Sequence, residues 1–161
     1  MTLTILELTV TLFIALLAGS YFGTSLVDVP AQKFLSAFSY VEIQQAATRL
    51  GTIRYRALVL ITALSQLGLL IFLRAWTSRL FQFTFLSFLF VIGALLVTVL
   101  LVVPINAEAH TWSSQTPPSN WKAMQRKWHT YHYLRTALVM IALLLQLTAL
   151  YFLSETSLPL A

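Results

Sequence analysis

Cysteine is absent from this 161-residue chain, and charge is scarce, with Asp, Glu, Lys and Arg making up 9% of it. Without cysteine there is no disulfide, no thiolate metal site and no thiol nucleophile, and the redox compartment leaves no trace. A soluble domain carries roughly 25% charged residues, so this chain is not built to face water. Its three histidines lie outside the long apolar runs, which argues against a bis-histidine haem inside a helical core. No cofactor is predicted.

What is present is apolar: 58% of the residues are hydrophobic and the mean hydropathy is +0.81. Four segments, about 3–23, 57–73, 83–103 and 134–153, meet the requirement of roughly 20 apolar residues for a spanning helix. The first lacks the basic start of a signal peptide and carries Glu7 inside its apolar stretch. The expected fold class is all-α, an integral membrane four-helix bundle forming a single transmembrane domain over residues 1–161, with no internal repeat. Between the first two spans, Pro30 opens a stretch in which Phe34, Phe38 and Val41 recur at helical spacing and Gly51 supplies a stop. The pattern predicts an additional interfacial helix over about 30–50. After the break at "TPPSN", Ser119 is placed to cap a last helix running over about 120–153.

The net charge of +5 sits beside apolar segments rather than in a basic arm. Anionic lipid headgroups are therefore the expected partner, and nucleic acid is not. The first and third loops and their helix junctions hold Lys33, Arg49, Arg54, Arg56, Lys122, Arg126, Lys127 and Arg135, against Arg74 and Arg79 in the second. Eight against two puts the first and third loops in the cytoplasm and both termini outside, in a plasma or inner membrane. An oligomer or a larger membrane complex remains an option.

At about 100° per residue, Trp121, Gln125, Trp128, His132, Arg135 and Gln146 fall within roughly 60° of one line on the last helix, while Lys122, Arg126 and Lys127 point away. On the first helix Glu7, Thr11, Tyr21, Ser25 and Asp28 share a face. Ordinary roles compete for several of these. Glu7 is close enough to the outer end to reach the interface, Asp28 to pair with a cation such as Arg135, and His129, off the line, to face headgroups or water. Glu108, His110, His129 and His132 form no compact ligand spacing, so no metal is expected.

The order "VVPIN", then Trp121, Arg126, Trp128, His132 and Arg135, resembles the anthrone-oxygenase-like family of small four-helix membrane proteins. The layout of all four helices, with "AGSYFGTSLVDVPA" before the first loop, is similar too. The resemblance implies oxidation of polyketide anthrones to anthraquinones by dioxygen, without an established organic cofactor or metal. Carried over residue by residue, it implies roles for Asn106, Trp121, Trp128, His132 and Arg135; Arg126 matches the pattern but projects outward. The expected catalytic residues are His132 as general base and Arg135 with Asn106 as stabilisers of a phenolate-like anion. Trp121, Trp128, Tyr21 and Asp28 are the expected substrate contacts for a lipophilic small molecule, with the ring system stacked between the two tryptophans. The competing reading is a non-catalytic membrane subunit or a lipid- or small-molecule-binding protein. An accessible pocket beside His132 favours the first reading and filled packing the second.

Overall fold

The computed structural model describes residues 2–73 and 76–157. Arg74 and the chain end at Ala161, both used in the orientation argument, lie outside them. The described residues contain helices and connecting turns and no strand. The helices are α1 (Thr2–Gly23), α2 (Val29–Gln32), α3 (Ala37–Leu73), α4 (Arg79–Val97), α5 (Val103–His110) and α6 (Trp121–Ser157). Two π-helical segments, Thr24–Asp28 and Thr98–Val102, join α1 to α2 and α4 to α5. Four helical stretches are long and apolar enough to cross a membrane: Thr2–Gln32, Ile53–Leu73, Arg79–His110 and Trp121–Ser154. The chain is a multi-pass membrane protein.

Local chemistry sets the helix starts. Ser78, with extended backbone, accepts the Phe81 N–H at 3.1 Å and caps α4. Ser36 does the same for α3 through the Ser39 N–H. At α6 the first intrahelical bond runs from the Met124 N–H to the Asn120 carbonyl, so Asn120 rather than Ser119 stands at the cap.

Two boundaries differ from the sequence expectation. The interfacial helix expected over about 30–50 is interrupted by a turn at 33–36, which leaves Pro30 in α2, and from Ala37 on it is continuous with the second spanning helix in one 37-residue element, α3. A glycine within a helix costs only about 1 kcal/mol relative to alanine, and Gly51 stays helical because packing continues on both sides of it. Val41 and Gln44 are buried before it, Val59 and Thr62 after it. Phe34 and Phe38 remain exposed, Phe34 at 90%. The first and third spans also continue past their expected ends. Pro30 and Pro104 have no N–H to give and would clash with the preceding turn of a regular helix. Each is preceded by a π segment in which the valine N–H reaches five residues back, Val29 to Thr24 and Val103 to Thr98. The extra residue lets each helix run through its proline.

These parallel breaks expose an internal repeat, contrary to the expectation of none. Gly19, Thr24, Leu26, Val29, Pro30 and Gln32 correspond to Gly93, Thr98, Leu100, Val103, Pro104 and Asn106. The following helices, α3 and α6, each have 37 residues. "ALVLITALSQLGLLIFL" from Ala57 matches "ALVMIALLLQLTALYFL" from Ala137 at ten of seventeen positions. Equivalent positions are buried alike, as Val59 with Val139, Thr62 with Ala142, Gln66 with Gln146, and Leu69 with Ala149. The molecule is two consecutive two-helix units. The copies are joined by segments of unequal length, so Gly19 and Gly93 differ by 74 positions but Ala57 and Ala137 by 80, and no fixed period marks them in the sequence. Within the bundle α1 and α4 each pack on both α3 and α6.

Candidate functional site

At the end of the bundle where both π segments lie, α6 turns Trp128, His132 and Arg135 inward at successive turns. Trp128 and His132 stack face to face, their ring centroids 5.1 Å apart and 2° from parallel. Tyr21, on the turn of α1 just before the π segment, meets His132 edge-on at 5.8 Å. The Arg135 guanidinium lies 4.5 Å over the Tyr21 ring and 5.9 Å from the Trp128 ring. It gives two hydrogen bonds to His132 Nδ1, from Nε at 3.0 Å and from a terminal nitrogen at 2.8 Å.

That contact fixes the histidine tautomer. Arginine only donates, so Nδ1 is the acceptor and Nε2 carries the proton, which it gives to the Tyr21 carbonyl at 3.2 Å. Among the described residues Arg135 interacts with His132, Tyr21, Trp128 and Tyr55, none of them a carboxylate.

The two repeat amides brace this stack. Asn106 Oδ1 accepts both the Trp128 indole N–H at 2.9 Å and the Gln44 amide at 3.0 Å. Its counterpart Gln32 pairs through Oε1 with His129 Nε2 at 3.0 Å, and its carbonyl accepts from Gln125 at 3.0 Å. Gln45 of α3 donates to the Ala109 and Trp112 carbonyls and holds the end of α5 in place. Tyr40, fully buried, meets Trp121 at 5.5 Å with the rings tilted by 35°. Burial pushes its phenol up to about 12, so it stays protonated.

Of the expected site residues, the structure gathers His132, Arg135, Trp128, Tyr21 and Asn106. Trp121 belongs to a separate pair with Tyr40, so the two tryptophans do not enclose a common slot. Asp28 is exposed and stands outside the cluster; the turn that carries it is π-helical, and the extra residue rotates it away from α6. Arg126, Lys127 and Lys122 are exposed, as their projection implies. His129 is 7% exposed and Glu7 is fully buried, so neither takes the headgroup or interfacial role expected of it. Glu108 and His110 are exposed on α5 while His129 and His132 are buried, so these four do not converge. Gln32 and Gln44 were missed; the paired Val-Pro-x-amide turns at Gln32 and Asn106 were the signal for the first.

The packing around His132 is filled. It is 1% exposed, and the groove of about 320 Å³ on this half of α6 lies on the outward side, lined by Ala123, Arg126, Lys127, Thr130 and Tyr131. Arg135 is the part of the stack that retains partial exposure.

Fold and site together define a multi-pass helical membrane protein with a tryptophan–histidine–arginine stack at one end of its bundle. A family model described as anthrone oxygenase matches residues 45–145, a stretch that includes Asn106, Trp128, His132 and Arg135. The chain belongs to the anthrone oxygenase family. No curated relative and no solved structure matches it.

Proposed function

We propose that the protein is a membrane oxidoreductase that receives a lipophilic, acidic aromatic molecule, anthrone- or hydroquinone-like, and holds its anion on Arg135 for oxidation by dioxygen. One observation carries this reading: a partly buried guanidinium inside a membrane bundle, held by a neutral histidine and an aromatic face rather than by a carboxylate. An unpaired charge at such a position is expensive, and a phenolate-like oxygen supplies the missing partner through charge-assisted hydrogen bonds. Family membership supports the same class of substrate.

The geometry also suggests where the proton goes. While Arg135 donates to Nδ1, His132 has no free lone pair and is no base. When Arg135 turns its N–H groups to a substrate oxygen, Nδ1 is released and can take the proton. For an anthrone the resulting anion passes one electron to dioxygen, the radical pair joins at the deprotonated carbon, and the peroxide loses water. The balance is anthrone plus dioxygen to anthraquinone plus water.

The filled packing at His132 favours a second reading, in which the stack only fixes α6 to α1 and α5 in a non-catalytic protein. Purified protein in detergent, presented with anthrones and hydroquinones, distinguishes the two. The oxidoreductase reading expects saturable dioxygen uptake, one per anthrone consumed, lost in Arg135→Ala. Substrate oxidation at the same rate with and without protein would sink it.

A further inference from the structure

At the opposite end of the bundle a second polar cluster is sealed among the four spanning helices. Glu7 of α1, Gln66 of α3, Thr84 and Ser87 of α4 and Gln146 of α6 are all fully buried. Glu7 accepts from the Gln146 amide at 2.6 Å through one oxygen and from the Thr84 hydroxyl at 3.4 Å through the other. Gln66 donates to Ser87 at 2.9 Å and to Gln146 Oε1 at 3.4 Å, and Ser87 passes its own proton to the Ala142 carbonyl at 2.8 Å. Gln66 Oε1 has no hydrogen-bond partner among the described residues.

Two features set this cluster apart from ordinary helix glue. Gln66 and Gln146 are equivalent residues of the two repeats, and they meet each other, so the cluster lies on the axis relating the copies. Glu7 has no equivalent, because the second copy carries Phe81 in its place; a single carboxylate has been added to an otherwise paired site. In secondary transporters built from repeats, ions and substrates are held at the interface between the copies.

We propose that this cluster binds one small monovalent cation, with sodium the best fit, between the Glu7 carboxylate and the oxygens of Gln66, Gln146 and Thr84. An ionised Glu7 meets no cation among its bonded neighbours, and an uncompensated charge in a sealed membrane interior is costly. The donors are hard oxygens, which suit alkali and alkaline-earth ions rather than transition metals. One carboxylate matches a single positive charge, and a divalent ion would leave its own excess unpaired. Gln146 Oε1 accepts only at 3.4 Å from Gln66 and, as a carbonyl oxygen with two lone pairs, has one to give to an ion. Gln66 Oε1 is the acceptor already waiting. The cluster lies about one turn from an open groove of about 320 Å³ between α1 and α6, lined by Thr4, Leu147, Leu150, Tyr151, Leu153 and Ser154. That groove offers a way in. The site is separate from Arg135 and independent of the reaction proposed there.

Thermal unfolding of the purified protein in detergent, in sodium, potassium or choline chloride at equal ionic strength, tests the proposal. Sodium is expected to raise the midpoint saturably, by roughly 5 °C, with potassium weaker and choline without effect. Glu7→Gln keeps the shape and is expected to abolish the sodium response. Should that variant not fold, Gln66→Met removes the waiting acceptor and is expected to weaken the response several-fold. Three results would overturn the site: the same midpoint in all three salts, a sodium response that survives in Glu7→Gln, or stabilisation by acid with no dependence on sodium, which would assign the position to a proton.

Discussion

His132 and Arg135 act as a unit, since the histidine's only lone-pair nitrogen is spent on the arginine. Replacing His132 with Gln leaves an amide oxygen to receive Arg135 but no imidazole to take a proton. The expected outcome is folded protein with substrate binding retained and turnover reduced at least a hundredfold, read as a fall in kcat with little change in KM. Arg135→Lys keeps the charge but loses the two-point donation to Nδ1, so binding should weaken as well. Arg126→Gln combined with Lys127→Gln touches only exposed side chains and should leave both constants within about twofold. Equal losses in the inward and outward sets would return the whole stretch to the role of an interfacial anchor. Asn106 carries a different burden: its one oxygen satisfies both Trp128 and Gln44. Asn106→Leu should cost roughly 1–3 kcal/mol, measured as a lower unfolding midpoint, and release Trp128 from its fixed stacking on His132.

At the scale of elements, the π segments decide which residues α2 and α5 present. One residue is about 100° of helix, so deleting Leu101 to restore a regular turn swings Asn106 away from Trp128. Pro104→Ala keeps the residue count and the register. The deletion should therefore destabilise more than the proline substitution and should alter tryptophan fluorescence, whereas equal effects would mean the bulge has no positioning role. The same devices explain what could be read from the sequence. The spanning segments were legible because apolar length is a coarse, strong signal, and the inward face of α6 because 100° geometry holds over an unbroken helix. Asp28 was misassigned because a π turn breaks that geometry by one residue, and nothing in "TSLVDVP" alone announces it. The separation of Trp121 from Trp128 was hidden for another reason. Residues on one helical line lie about 10 Å apart after seven positions, and the partner each one meets, for Trp121 the Tyr40 ring of a distant segment, is set by tertiary packing. Gly51 was overread because a helix-breaking residue only breaks a helix that has little else to hold it.

For the whole molecule, the repeat and the charge distribution constrain each other. Two consecutive up-down units run in parallel, so α1 and α4 cross in the same sense, and both proline turns with their inward amides fall at one end. The long apolar faces outside that core, with Leu12, Leu16, Leu64, Ile71, Leu96 and Leu144 each at least half exposed, belong to lipid. The proline-turn end also carries Lys33, Arg49, Arg54, Lys122, Arg126 and Lys127, and the cation excess of short loops marks the cytoplasmic side. The Arg135 site is then expected at the cytoplasmic leaflet and the Glu7 cluster toward the outer one, which sets the proposed cation site nearer the sodium-rich side of most cells. A phosphatase fused after Ala161 should be active and a fluorescent protein fused there dark, because each matures on one side only. Neutralising Lys122, Arg126 and Lys127 together removes half of those six charges and should produce a mixed population with both reporters partly active. A cytoplasmic carboxy terminus in the wild-type chain would reverse the assignment of both sites at once, since the parallel repeat allows neither to move without the other.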